Sequence, residues 1–141
     1  MKTYWDTSAA INAAVAADVA ARLDAGEHAA RLHLLAEFFA IMTGRGVAGT
    51  DPAGQPVRVT FTGNDCAAWL RDFASRVAMV ELDTDELLAG LDRAQARNVS
   101  GARVYDYGHA LAAQKAMADE LITRNTEDFS GLTGAVKLAW P

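Results

Sequence analysis

The chain has 141 residues, 51% of them hydrophobic and 22% charged, as expected for one globular domain with its own core. Its net charge of -5 argues against a protein that coats DNA or RNA with a basic surface. This charge still allows an enzyme that holds nucleic acid through metal ions and a few arginines. The single cysteine, Cys66, excludes an internal disulfide and a cysteine-based zinc site.

The N-terminus lacks the basic start and apolar run of a signal peptide. No apolar run reaches the roughly 18 residues needed to span a bilayer. We therefore expect a soluble protein of the reducing cytoplasm, with no membrane contact, whose single domain covers residues 1–141.

The first third of the chain predicts a strand and two helices. Residues 3–5 form a short apolar strand, and Asp-Thr-Ser at 6–8 provides capping side chains for the Ala-rich helix 9–25, with a break near Asp18. A second helix is predicted over about 29–43. Its apolar residues at helical spacing are Leu32, Leu35, Phe39 and Met42.

The middle of the chain begins with turn signals. Residues 44–63 are predicted as a loop, because Gly, Asp-Pro and Gln-Pro occur there, and residues 57–61 within it alternate like a short exposed strand or hairpin arm. A Thr-x-x-Asp capping pair opens a helix over 62–75. A strand over 77–82 and a helix capped by Thr84, which runs to about residue 98, complete this part.

The last third predicts one helix and two strands. Asp106 starts a helix that runs through Ala118, and strands follow at 121–123 and 136–138. Strands that alternate with helices of ten or more residues indicate right-handed βαβ units. The fold class is therefore α/β, with a mostly parallel central sheet.

Four acidic residues stand in or beside apolar segments, where a lone carboxylate is costly unless it is paired, hydrogen-bonded or bound to metal. They are Asp6, Glu37, Asp106 and Asp128. Because ligands collect at the carboxyl ends of parallel strands, we expect these acids to share one site at that edge. Their repulsion requires a proton or a cation. All-oxygen ligands favour Mg²⁺ or Mn²⁺, which suit phosphodiester cleavage.

Four motifs occur in a fixed order: Asp-Thr-Ser at 6–8, Leu-Ala-Glu at 35–37, Tyr-Asp at 105–106, and Leu-Ile-Thr-Arg-Asn-x-x-Asp-Phe at 121–129. Together they resemble the PIN-domain ribonucleases, and most of all the VapC-type toxins of bacterial toxin–antitoxin pairs. The resemblance extends over about residues 3–132.

The resemblance implies a Mg²⁺- or Mn²⁺-dependent endoribonuclease on a three-layer α/β/α sandwich. It also implies RNA as substrate, a cognate antitoxin that occupies the active-site groove, and a homodimer. Asp6, Glu37 and Asp106 match the three most characteristic acids of the family, and Asp128 matches a fourth, less regular one. The polar residues that match positions orienting the acids or a metal-bound water are Thr7, Thr123 and Asn125.

The chain departs from the family pattern in three places. Residues 28–33 stand where members commonly show a short strand and a small polar residue, and the loop 44–63 is longer than in compact members. Tyr107 and His109 follow Asp106 where small or aliphatic residues are more usual. His109 is interpreted as a structural histidine in preference to a substrate or proton-transfer residue.

Arg124 has two interpretations: the partner of a surface acid, which we prefer, or a contact to substrate phosphate. Two other functions also fit the sequence. One is a PIN nuclease that processes RNA or cuts DNA without an antitoxin, and the other is a non-catalytic interaction module whose acids only cap helices. The sequence argues against a P-loop nucleotidase, because no GxxxxGK[ST] motif occurs. It also disfavours a HAD-type phosphatase and a phosphoreceiver domain, since residues 6–8 hold only one acid.

Overall fold

The computed structural model describes all 141 residues. The strands are β1 (Lys2–Trp5), β2 (Glu27–Ala30), β3 (Val47–Thr50), β4 (Pro56–Val59), β5 (Ala78–Met79), β6 (Glu120–Ile122) and β7 (Lys137–Ala139). The α-helices are α1 (Thr7–Val15), α2 (Ala17–Ala20), α3 (Leu32–Thr43), α4 (Gly63–Arg76), α5 (Thr84–Asp92) and α6 (Arg103–Lys115). Three 3₁₀ turns cover Ala21–Asp24, Gln95–Arg97 and Thr126–Phe129.

The central sheet has five parallel strands in the order β5-β2-β1-β6-β7. Side chains alternate across β1, so Trp5 packs in a hydrophobic cluster with α1, α3 and α4, whereas Tyr4 packs in a second cluster with α6. Both faces of the sheet are therefore covered. The α/β class and the three-layer α/β/α sandwich are confirmed.

Strand β2 is not predicted from the sequence, and its last two residues fall within the helix predicted over 29–43. Its residues pair in parallel with β1, Lys2 opposite Glu27 and Tyr4 opposite Ala29, and α3 begins only at Leu32. Alanine favours helix in isolation, but tertiary pairing with a buried strand overrides that preference. The expected departure at 28–33 is therefore wrong in one respect, since a short strand does precede Glu37.

The buried face of α3 also differs from the prediction. Leu34, Phe38 and Met42 are fully buried, whereas Leu32 and Phe39 keep 50% and 43% of their surface exposed. The run of apolar residues is nearly continuous, so periodicity alone does not define which face packs. Packing does: the Phe38 ring stacks on Trp69 of α4, with ring centroids 4.6 Å apart.

The predicted loop 44–63 contains an antiparallel hairpin. The expected arm is present as β4, which pairs with β3 in the register Val47 opposite Val59. The first arm, Val-Ala-Gly-Thr, gives too weak an alternation to be recognised. Gly46 leads into it with φ +65°, and a side chain there would collide with the carbonyl of Val59, so the turn requires glycine.

One helix start and two element lengths differ from the predictions. Thr62 caps α4 as expected, but α5 is capped by Asp83 in place of Thr84, through a capping box with Glu86, and ends at Asp92 in place of residue 98. Strand β5 has two residues where six were predicted. A carboxylate caps a helix at least as well as a hydroxyl, which explains the shift.

Helices α1 and α6 also have different limits. The predicted break in the first helix is present at Ala16, two residues before Asp18. Helix α6 starts at Arg103, so Asp106 lies inside its first turn and does not start it. None of the helices combines the length and the apolar character that a membrane span requires.

Candidate active site

A groove of about 600 Å³ opens at the carboxyl ends of β1 and β6. It brings together residues from α1, α3, α6 and the hairpin. Its acidic residues are Asp6, Glu37 and Asp106, and its basic ones are Arg45, Arg58 and Arg124. Three of the four predicted acids therefore share one groove, at the sheet edge where ligands of parallel sheets bind.

Asp6 caps α1 and is almost fully buried, with 4% of its surface exposed. Its Oδ1 accepts hydrogen bonds from the Ala9 amide at 2.9 Å and the Ser8 hydroxyl at 2.8 Å, and its Oδ2 accepts one from the Thr123 hydroxyl at 2.7 Å. Burial raises the pKa of Asp6, although the bonds from Thr123 and Ala9 and the charge of His109 oppose the rise. Capping and a place in the groove coexist in this residue.

A hydroxyl pair joins the ends of β1 and β6. Ser8 Oγ lies 3.2 Å from Thr123 Oγ1 and accepts the Arg124 amide at 2.9 Å. Thr123 Oγ1 in turn accepts the Asn125 amide at 2.9 Å. These bonds fix the chain after β6 against the start of α1, so that Asn125 and Arg124 lie on the groove.

Glu37 projects from α3 into a set of donors. Its Oε1 accepts the Thr7 hydroxyl at 2.9 Å and His109 Nε2 at 3.1 Å, and His33 Nε2 lies 3.4 Å away. Burial alone would raise its pKa, but the bond and charge of His109, then Thr7 and His33, outweigh burial and hold the pKa below its usual value. Glu37 is therefore an ionised carboxylate with one oxygen engaged.

His109 links Glu37 to the sheet interior. The ring is 3% exposed, and its Nδ1 lies 2.8 Å from the Tyr4 hydroxyl. A carboxylate only accepts, so Nε2 carries a proton toward Glu37, and in the neutral ring Tyr4 donates to Nδ1. Burial raises the pKa of Tyr4 well above its usual value, which keeps this donor protonated. The arrangement fixes the rotamer of Glu37.

Asp106 shows that the acids act on one another. Burial, followed by the charge of Asp128, raises its pKa to about 6, with further contributions from Asp6 and Glu37 that the charge of His109 partly offsets. Asp128 itself is exposed in the Thr126–Phe129 turn and does not line the groove. The charge of Asp128 therefore raises the pKa of Asp106, although Asp128 lies outside the groove wall.

Arg124 does not pair with a surface acid, so the preferred interpretation is wrong. Its guanidinium lies over the Trp140 ring, 4.9 Å from the centroid, and both side chains line the groove. No carboxylate is within ion-pair distance of it. Cation–π stacking leaves the donor edges of the guanidinium free for an anion.

The fit of the groove to a divalent cation is partial. No three His, Cys, Asp or Glu side chains stand in an arrangement that could hold a metal ion as they are. Both carboxylate oxygens of Asp6 accept hydrogen bonds from the protein, whereas only Oε1 of Glu37 does so. The pKa of Asp106 is shifted by burial and by neighbouring charges alone. Mg²⁺ or Mn²⁺ binds oxygen ligands of this kind and neutralises the repulsion between them.

Several residues of the groove, and of the contacts that support its acids, were not singled out from the sequence. They are Tyr4, Ser8, His33, Arg45, Arg58 and Trp140. Tyr4 lies in an ordinary apolar strand, and the arginines lie in what was predicted as a loop. Only Ser8 gave a signal, as part of the Asp-Thr-Ser motif.

Comparison with models of known protein families gives no match, and comparison with curated proteins gives none either. The resemblance to PIN-domain nucleases therefore depends on the motifs and on the groove that three of their acids line.

Proposed function

We propose that the chain is a PIN-type endoribonuclease that depends on Mg²⁺ or Mn²⁺ and serves as the toxin of a toxin–antitoxin pair. The observation that supports this most is the groove in which Asp6, Glu37 and Asp106 face the same space as three arginines. Acids suit a cation and arginines suit phosphates, so the groove offers both halves of a phosphodiester site.

In this proposal the residues have distinct tasks. Glu37 and Asp106 hold the cation, and Asp6, which Ser8 and Thr123 orient, completes its surroundings. The cation, when bound, supplies Lewis acidity toward the phosphate and the attacking water. Thr7 and His109 keep the Glu37 carboxylate in place. Asn125 lines the groove, whereas Asp128 lies outside its wall and acts on Asp106 through its charge, and one of the two completes the site.

The three arginines hold the RNA backbone. Arg58 donates through Nε to the carbonyl of Arg45 at 2.8 Å, which ties the base of the hairpin beside the groove. Arg124, which follows β6 in the chain, lines the same groove. Local arginines offset the net charge of -5 where the phosphates bind.

The cognate antitoxin, the homodimer and a cytoplasmic location belong to the same proposal. Exposed apolar side chains supply surface that a protein partner would cover. Among them are Phe39 at 43%, Leu88 at 53% and Met117 at 82% exposure. A small co-encoded protein that purifies with the chain and blocks cleavage would separate this proposal from an RNA-processing nuclease.

The direct test is cleavage of a mixed structured RNA pool in Mg²⁺, in Mn²⁺ and in EDTA. We expect discrete fragments that require metal, and a loss of rate of at least about a hundredfold in Asp106→Asn. Asp72→Asn, an exposed acid on α4, is the matched control and should cleave normally. Full activity in a folded Asp106→Asn protein would overturn the site assignment.

A further inference from the structure

A second pocket, of about 270 Å³, lies beside the groove at the same edge of the sheet. It is formed between the end of β2, α5 and the first two turns of α6. Its lining residues are Arg31, His33, Leu87, Leu91, Val104, Tyr105 and Gly108. We call it the Arg31 pocket.

Arg31 is the only arginine or lysine that lines this pocket, and it has no anionic partner. Its Nε is buried without a hydrogen-bond partner, and no carboxylate is within ion-pair distance of its guanidinium. The neighbouring Glu81 carboxylate is instead bound to the Leu32 amide at 2.7 Å. By contrast, Arg103, whose Nε is also buried, donates to two backbone carbonyls. A partly buried guanidinium without an acceptor favours an anionic ligand.

Gly108 makes the room that Arg31 occupies. An added side-chain carbon at Gly108 would collide with Nη1 of Arg31, and the guanidinium is the nearest group to that position. Glycine in the interior of a helix is less favourable than alanine. Its presence here seats the guanidinium against α6.

A stacked aromatic pair separates the Arg31 pocket from the groove. The His33 and Tyr105 rings are 9° from parallel, with centroids 5.9 Å apart. His33 Nε2 lies 3.4 Å from Glu37 Oε1, and Tyr105 precedes Asp106 in the chain. Tyr105 is 56% exposed, so one side of this pair offers an aromatic surface to a ligand.

We propose that the Arg31 pocket binds the nucleotide next to the cleaved bond, with its phosphate on Arg31 and its base against Tyr105. This inference rests on the proposed nuclease function. It defines the path of the RNA strand, which runs from the arginines of the groove across the aromatic pair to Arg31. Bases stack on exposed aromatic rings irrespective of sequence, and Leu87, Leu91 and Val104 supply apolar contacts for the base.

A nucleotide fits these observations better than a carboxylate from a protein partner. The pocket shares the ligand-binding edge of the sheet with the groove, and His33 of the pocket lies 3.4 Å from Oε1 of Glu37, a proposed metal ligand of the groove. A single strand that lies in the groove therefore reaches the pocket without leaving the protein surface. A protein carboxylate explains Arg31 but gives no role to the aromatic pair.

The test uses nuclear magnetic resonance on the full chain, with adenosine, guanosine, cytidine and uridine 5′-monophosphates as probes in the absence of metal. We expect at least one mononucleotide to shift the Arg31 Nε–H signal together with the Tyr105 ring signals. Inorganic phosphate and N-acetylglutamate are the control probes. Neither carries a base, so each should shift these signals less at the same concentration.

Two variants and one control make the result specific. Arg31→Met and Gly108→Ala should each weaken mononucleotide binding about tenfold, because the guanidinium is removed or displaced. Gly108→Ala should fold, since alanine favours helix and only a flexible side chain must move. The matched control is Gly63→Ala on α4, where an added carbon meets only ordinary contacts at 3.7 Å or more, and it should bind as the parent does.

Unchanged binding in Gly108→Ala, or a stronger response to N-acetylglutamate or phosphate than to every mononucleotide, would overturn the proposal. Mononucleotide binding needs neither metal nor cleavage. Binding at Arg31 in a chain that cuts no RNA would therefore contradict the nuclease function alone, and cleavage with no response at Arg31 would contradict the pocket alone.

Discussion

At the scale of single residues, the contact between Tyr4 and His109 is buried on both sides. Tyr4→Phe removes one hydroxyl and leaves His109 Nδ1 without its partner at 2.8 Å. An unsatisfied buried polar group costs about 1–3 kcal/mol, so we expect the free energy of unfolding to fall by that amount in urea denaturation. Tyr105→Phe, whose ring is 56% exposed, is the control. Equal stability of the two variants would contradict a structural role for the Tyr4 hydroxyl.

For Asp106 we predict the opposite effect, a substitution that stabilises the fold, because the charge of this residue is unfavourable in the folded chain. Its pKa is about 6 in the fold against an ordinary 3.8, so the folded state binds the proton more tightly than the unfolded state. Stability contributed by this group is therefore full below about pH 4 and is lost as the pH rises through about 6.

Replacing the charge should recover that stability. In EDTA at pH 7, Asp106→Asn is expected to raise the free energy of unfolding by about 1 kcal/mol, after allowance for solvent screening of a half-exposed group. The gain should shrink as the pH falls through about 6 and vanish only well below 3.8, where Asp106 is protonated in both states. Thermal unfolding of parent and variant across this pH range measures it, and a variant that is less stable than the parent at pH 7 would contradict the account.

At the scale of elements, we predict that the hairpin β3–β4 binds the phosphates of RNA. Removing Arg45 and Arg58 together should weaken RNA binding and lower the salt dependence of its logarithmic affinity by about 0.7 per arginine for single strands. The control removes two exposed arginines away from the groove, Arg71 and Arg97. Equal salt slopes for the two double variants, in fluorescence titrations from low to high salt, would exclude the hairpin as a phosphate contact.

The same elements show why the sequence predicts only part of the fold. Strand β1 and helix α4 are predicted because a short apolar run and a capping pair are local signals. Strand β2 is Glu-His-Ala-Ala, which has no strand preference of its own and is held by pairing with β1 and β5. Elements of this kind are defined by their neighbours, which a single sequence does not display.

At the scale of the whole molecule, the parallel sheet explains how residues a hundred positions apart share a groove. Asp6 follows β1, Thr123 follows β6, and α3 and α6 carry Glu37 and Asp106 to the same edge. The order of motifs was sufficient to select these acids from the sequence. The Tyr4–His109 contact and the unpaired Arg31 were not predictable, because each depends on which face of a packed element meets another.

The central claim is that the carboxylates of the groove hold a divalent cation, and a Mn²⁺ titration followed by electron paramagnetic resonance tests it most directly. We predict saturable binding to the parent chain, weaker as the pH falls below about 6 because Asp106 takes up a proton. The double variant Glu37→Gln, Asp106→Asn should bind at least about tenfold more weakly, and Asp72→Asn should bind as the parent does. No binding to the parent, or equal binding to the double variant, would contradict the claim and favour a non-catalytic module whose acids cap helices.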